Sequence, residues 1–133
     1  MLSILVIDDT PAVQTLFRAI LEAEGYFVHT ASGGREGLHQ FRQEPADLIL
    51  TDIFMPDCDG LEVIMTLRHE FPAVKILATS GQAGVVDMLT AAKILGADAI
   101  LEKPFGRETL LSAITQLLCL SQPEAIAKLS FGG

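Results

Sequence analysis

Five short runs rich in apolar and β-favouring residues alternate with five longer stretches whose apolar residues recur at helical spacing, and no other feature of the chain limits its fold as tightly. The first run, Ser3-Ile4-Leu5-Val6-Ile7, stops at Asp8-Asp9-Thr10-Pro11. That tetrapeptide combines capping side chains with a proline suited to the first position of a helix. Ala12, Val13, Leu16, Phe17, Ile20 and Leu21 then mark the buried side of a helix that ends at Gly25. Tyr26 to Ala31 is predicted as a second strand, followed by Ser32-Gly33-Gly34 and a helix through Leu38 and Phe41 that Pro45 stops. Leu48-Ile49-Leu50 leads to Asp52, and Met55-Pro56 forbids continuation because proline fixes φ and lacks a donor.

The same alternation continues to the end of the folded part. A helix runs from Gly60 towards Pro72 through Leu61, Val63, Ile64, Met65 and Leu67, and Val74 to Thr79 forms a fourth strand ending in Ser80-Gly81. Roughly Val85 to Leu95 is helical with Gly96 as its C-terminal glycine. Ala99 to Glu102 is the shortest strand, Lys103-Pro104-Phe105 breaks it, and a last helix spans about Arg107 to Leu120. Strands that alternate with helices in so short a chain require a parallel sheet covered on both faces, since each crossover helix must bury its apolar stripe on the sheet. The expected class is therefore α/β, a three-layer, doubly wound, five-stranded parallel sheet. Residues 1–120 form the domain and residues 121–133 a tail. The tail, with Ile126, Leu129 and Phe131, leaves two readings open: it docks on the domain or a neighbour, or it frays as termini do.

Composition narrows the function classes. A chain of 133 residues, half of them hydrophobic, suits one domain with a sizeable core. A net charge of −8 argues against direct binding to nucleic acid or to an anionic membrane, both of which want clustered Lys and Arg. No apolar stretch approaches the ~20 residues of a membrane span and no export-signal pattern opens the chain, so a cytoplasmic location is the expectation. Cys58 and Cys119 lack metal-ligand or CxxC spacing and read as reduced thiols; His29, His39 and His69 form no ligand pair.

In a parallel sheet the strand ends meet at one edge, which brings Asp8, Asp9, Asp52, Ser80 and Lys103 to one place. Crowded carboxylates repel by ~4 kcal/mol per pair at 4 Å and an effective dielectric of about 20, and a divalent cation relieves that repulsion. A donor set of oxygens alone suits Mg²⁺. One carboxylate is then placed to attack phosphorus, with the cation and Lys103 neutralising oxygens of the transferring group and Ser80 donating a hydrogen bond to the product.

The segments ILVIDD, TDIFMPDCDG, ILATSG and EKPF occur in the order and spacing of the receiver domain of bacterial response regulators, which the chain resembles over about residues 2–120. The resemblance implies the flavodoxin-like strand order 2-1-3-4-5 and an aspartyl phosphate on Asp52. It further implies Asp9 as direct Mg²⁺ ligand, Asp8 acting through a metal-bound water, and Phe54 offering a backbone carbonyl. Ser80 matches the switch hydroxyl and Lys103 the phosphate-binding lysine, with a cis Lys103-Pro104 peptide. The implied phosphodonor is a phosphohistidine on a sensor histidine kinase or a histidine phosphotransfer protein. The implied output is a downstream protein that reads the face of helix four, strand five and helix five.

Ile100 departs from the pattern, standing where many members place a Tyr or Phe that turns inward on activation. The Phe54 ring either shields the site from attacking water or is surface hydrophobicity near a docking face. Gln82 likewise flanks the water route or is a solvated amide. Many members also form homodimers through the last helices; Lys93, Asp98 and Arg107 are either pairs of that kind or solvated surface charge. The chain fits a stand-alone regulator, a phosphorelay intermediate, or a receiver cut from a longer protein.

Three other classes of protein are open to a chain of this pattern. An FMN carrier needs a phosphate loop after strand one, where Asp8-Asp9 would repel the phosphate. A phosphatase of the haloacid dehalogenase type carries a DxD motif on strand one, whereas Asp8 and Asp9 are adjacent. An interaction module indifferent to phosphorylation would have no use for the full set of acids, Ser80 and Lys103. On the leading reading the chain is no enzyme beyond its own phosphorylation and dephosphorylation.

Overall fold

The computed structural model describes residues 2–53, 60–80 and 86–120. Among them the chain runs β1 (Ser3–Ile7), α1 (Pro11–Ala23), β2 (Phe27–Ala31), α2 (Gly34–Gln43) and β3 (Leu48–Asp52). It continues through α3 (Gly60–Glu70), β4 (Lys75–Ser80), α4 (Val86–Leu95), β5 (Ala99–Glu102) and α5 (Arg107–Leu120). Phe54, Met55, Pro56, Cys58, Gln82 and the tail from Ser121 lie outside the described residues. All strand pairings are parallel and the order is β2-β1-β3-β4-β5, as expected.

The connection from β1 to β2 travels one way along the sheet and the next three travel the other way. Right-handed crossovers then place α1 and the group α2, α3, α4 on opposite faces. Two cores bear this out. Ile4, Val6, Leu48, Leu50 and Leu77 pack against Phe17 and Leu21 of α1 and Leu110, Ile114 and Leu117 of α5. Leu5, Ile7, Ile49, Ile76 and Ala78 pack against Phe41, Val63, Ile64, Leu67 and Ala92 on the other side. The period-two alternation of side chains thus splits each continuous apolar run between two faces. Each fully buried Leu, Ile or Phe contributes about 1.5–3 kcal/mol relative to exposure.

Several details differ from the sequence reading. Leu16 and Met65 are 56% and 51% exposed, although helical spacing counts both among the apolar residues of their helices. A helix on a sheet buries a stripe only about 100° wide, and in α1 Phe17 and Leu21 occupy its centre. Thr10 stands at the N-cap of α1 but makes no side-chain cap. Its N–H instead donates to the Asp8 carboxylate at 2.9 Å, and its carbonyl accepts from Val13 and Gln14.

Away from the strand ends that carry the acids, Arg68 uses all five of its N–H donors. Nε and Nη2 donate to the Gly96 carbonyl at 3.0 and 2.7 Å, Nη1 to the Pro72 and Val74 carbonyls at 2.7 and 2.9 Å, and Nη2 to Asp98 at 2.7 Å. Asp98 also accepts from the Ile76 amide at 2.8 Å, and Lys93 Nζ donates to its carbonyl. Arg107 pairs with Glu24 at 3.0 Å. Lys93, Asp98 and Arg107 therefore have partners within their own chain, and Asp98 is no solvated surface charge. The turn this network clasps is made by Gly96, whose φ of +134° lies in the region glycine alone enters freely.

Candidate functional site

The site forms where the strands run out. Register places Ile7 opposite Thr51 and Asp52 opposite Thr79, so Asp8 follows β1 at the level of Asp52, and Ser80 lies one residue beyond Thr79. Asp8, Asp52 and Ser80 are 1%, 9% and 0% exposed, whereas Asp9 faces solvent. One carboxylate oxygen from each of Asp8, Asp9 and Asp52 lies within 4.8 Å of the others.

Lys103 reaches this group from β5. Its Nζ is 3.1 Å from Asp8 Oδ2 and 3.7 Å from Asp52 Oδ2. The lysine is held from three directions. Its own N–H donates to the Ser80 carbonyl at 2.7 Å, the peptide to Pro104 is cis, and the Phe105 ring stacks on Phe17 with centroids 6.0 Å apart. Phe105 thereby ties the loop after β5 to α1, the helix that follows the acidic pair.

Gly60 sets the other wall. Its N–H donates to the Ile53 carbonyl at 2.8 Å. A Cβ built on it would lie 2.5 Å from the Asp52 carbonyl and from Ile53 Cα, so only glycine lets α3 start so close to the end of β3. The Ile53 N–H donates to the Thr79 carbonyl at 2.9 Å, extending the β3–β4 ladder just past Asp52.

The donor chemistry fits a hard divalent cation. Three carboxylates and one ammonium leave a formal charge of two negative. Carboxylate oxygens held this close to one another could share one such ion, directly or through a bound water.

The structure brings Asp8, Asp9, Asp52, Ser80 and Lys103 together at the strand ends, and of the other predicted site residues it describes only Ile100. Ile100 packs with the core under α2–α4 and is paired with Ala78 in register. Phe54 falls outside the described residues. Sequence reasoning missed Gln14. It lies three residues before Phe17 and seven before Leu21, on the buried stripe, and a polar residue there was the available signal. Its amide donates to the Asp8 carbonyl at 2.6 Å.

Comparison with known proteins agrees with this geometry. Residues 4–115 match the family described as response regulator receiver domain, and the chain belongs to that family, the receiver domains of two-component signal transduction. It is 37% identical over 121 residues to the response regulator MprA of Mycolicibacterium vanbaalenii, covering 91% of this chain and 52% of that protein. A probable transcriptional regulator, ycf27, of Guillardia theta is 36% identical over 115 residues, covering 86% of this chain and 44% of the relative. The chain spans about half the length of the curated relatives it matches. Among solved structures, a CheY-like response regulator receiver domain protein from Methanospirillum hungatei superposes with a TM-score of 0.88 at 32% identity, covering 93% and 98% of the two chains. The response regulator TrrA of Thermotoga maritima, in complex with Mg²⁺-BeF, gives 0.80 at 32% identity, with coverage of 88% and 99%.

Proposed function

We propose that this receiver takes a phosphoryl group on Asp52 and uses it to shift a protein-binding face. The observation that carries the reading is Lys103 Nζ standing 3.1 Å from Asp8 and 3.7 Å from Asp52, inside a group of three carboxylates. An Oδ atom of Asp52 attacks phosphorus as the phosphorus–nitrogen bond of a phosphohistidine breaks. The departing imidazole keeps the bonding electron pair and takes a proton from solvent. The donor is a sensor histidine kinase or a histidine phosphotransfer protein.

Asp9 and Asp52, with the Phe54 carbonyl, would hold Mg²⁺, and Asp8 would contact it through water. Bound there, Mg²⁺ supplies charge neutralisation for the transferring phosphoryl oxygens. Lys103 stabilises the same oxygens from the opposite side, as a preorganised ammonium that needs no rearrangement at the moment of transfer. Buried Ser80, at the neighbouring strand end, moves towards the product and donates to it. That movement biases the face formed by α4, β5 and α5, where a downstream protein docks. A shift from 1:99 to 99:1 requires ~5.5 kcal/mol of preference for the active form. Ile100 brings no aromatic ring to this motion, so the switch runs on Ser80 and backbone movement.

The chain's catalysis is confined to its own phosphorylation and dephosphorylation. The receiver unit extends over residues 1–120 and the tail lies outside it. A cytoplasmic setting and no direct nucleic-acid contact by this domain complete the reading; among the described residues, no helix is long and apolar enough to cross a membrane. Intact-mass measurement after incubation with Mg²⁺ and acetyl phosphate should show one added phosphoryl group. No addition, or equal addition to Asp52→Asn, sinks the assignment.

A further inference from the structure

We propose that Gln14 is a positioning residue for the acidic pair, aiming the Asp9 carboxylate by holding the peptide that joins Asp8 to Asp9. This rests on the reading of Asp9 as a metal contact given above. Gln14 Nε2 donates to the Asp8 carbonyl at 2.6 Å, to Ser32 Oγ at 3.2 Å and, more weakly, to the Ala31 carbonyl at 3.4 Å. Two of these acceptors are backbone carbonyls, which accept only, so the nitrogen and not the oxygen of the amide must face them.

The Asp8 carbonyl belongs to the same rigid plane as the Asp9 N–H. Fixing that oxygen fixes the plane, and with it the direction in which Asp9 leaves the chain. Asp8 has other anchors: Thr10 N–H and Lys103 Nζ on its carboxylate, and its own N–H on the Ala31 carbonyl. Asp9 is exposed and its carboxylate has no hydrogen bond or ion pair with another described residue. Among the described residues, the backbone that Gln14 holds is what aims it.

Gln14 is itself anchored. Ser32, which accepts from it, donates its N–H to Glu36 Oε2 at 2.9 Å. Gln40 Nε2 donates to Glu36 Oε1 at 3.2 Å and to the Thr30 carbonyl at 3.1 Å. The acidic loop after β1 is thus strapped through one neutral amide to the start of α2. A neutral donor suits this place, since it holds the loop without adding a charge beside the cation position.

The test is Mg²⁺ binding measured by calorimetric titration on the full chain, without phosphodonor. Gln14→Met keeps length and loses the donor, and partners behind metal ligands typically matter 10- to 100-fold in affinity. The expected result is an Mg²⁺ Kd raised about tenfold and a similar rise in Ser32→Ala. Ser3→Ala, which loosens the Ser3–Asp47 contact away from the site, serves as a control for general destabilisation. An unchanged Kd in a folded Gln14→Met overturns the proposal, as does an equal rise in Ser3→Ala. Should Gln14→Met fail to fold, Ser32→Ala decides by the same criterion. Failure of the unmodified chain to bind Mg²⁺ would overturn the site reading itself and is seen separately.

Discussion

Replacing Lys103 by Met should tighten Mg²⁺ binding while slowing phosphorylation, two effects of opposite sign from one substitution. The ammonium is attracted to Asp8 and Asp52 by ~5 and ~4.5 kcal/mol at the observed 3.1 and 3.7 Å for an effective dielectric of about 20, before desolvation is counted. A divalent cation competes for the same charge. It also meets the ammonium's repulsion, ~7 kcal/mol for a doubly charged ion about 5 Å away on the same dielectric. Lys103 is 23% exposed, so solvent screens the interaction and about a third of that repulsion survives. Removing ~2 kcal/mol of opposition corresponds to about 30-fold tighter binding. Calorimetric titration measures it directly. Phosphorylation from acetyl phosphate at saturating Mg²⁺ should fall about 100-fold or more in the same variant, because a fixed donor to the developing charge is gone. Weaker or unchanged Mg²⁺ binding by Lys103→Met would refute the electrostatic account.

Gly60→Ala should destabilise the domain by about 3 kcal/mol or more and abolish phosphorylation, since its Cβ would meet backbone atoms 2.5 Å away that cannot yield; urea unfolding and intact mass check both. Arg68→Met should cost about 2–4 kcal/mol, because three carbonyls and the Asp98 carboxylate lose a donor in a part-buried position. In a domain of this size that is about 8–14 °C in Tm, and Arg68→Met/Asp98→Asn should be less than additive in a double-mutant cycle. Glu70 is held below the ordinary carboxylate range by the Arg42 hydrogen bond, a bidentate pair at 2.9 and 2.6 Å. A depressed folded pKa means the contribution is present above the unfolded value of about 4.3 and lost as pH falls through the folded one. The stability gap between the unmodified chain and Glu70→Gln should therefore be constant near neutrality and shrink below about pH 4.

The turn motifs did much of the work at the level of sequence. Asp8-Asp9 and Asp52 each follow an apolar run that must end there, so strand direction alone sends them to a common edge. Lys103 joins them because β5 is parallel to β4. What periodicity missed were the exposures of Leu16 and Met65. Spacing assigns a side chain to a stripe, but the width of the stripe that is covered depends on what lies opposite. Asp98 read as surface charge because its partner, Arg68, is 30 residues away and the rest of the network is backbone carbonyls.

The order of short strands and helices in the chain, with acids and a lysine at the strand ends, determines a doubly wound sheet and the chemical character of its edge, because hydrophobic period and turn chemistry are local properties. Tertiary structure alone decided the distances: 3.1 and 3.7 Å from ammonium to carboxylates, the carbonyl under Gln14, and the contact that only a glycine at position 60 permits. Those depend on register between strands and on the approach of main chain to main chain, and backbone atoms are the same at every position, so side-chain identity carries no record of which of them will meet.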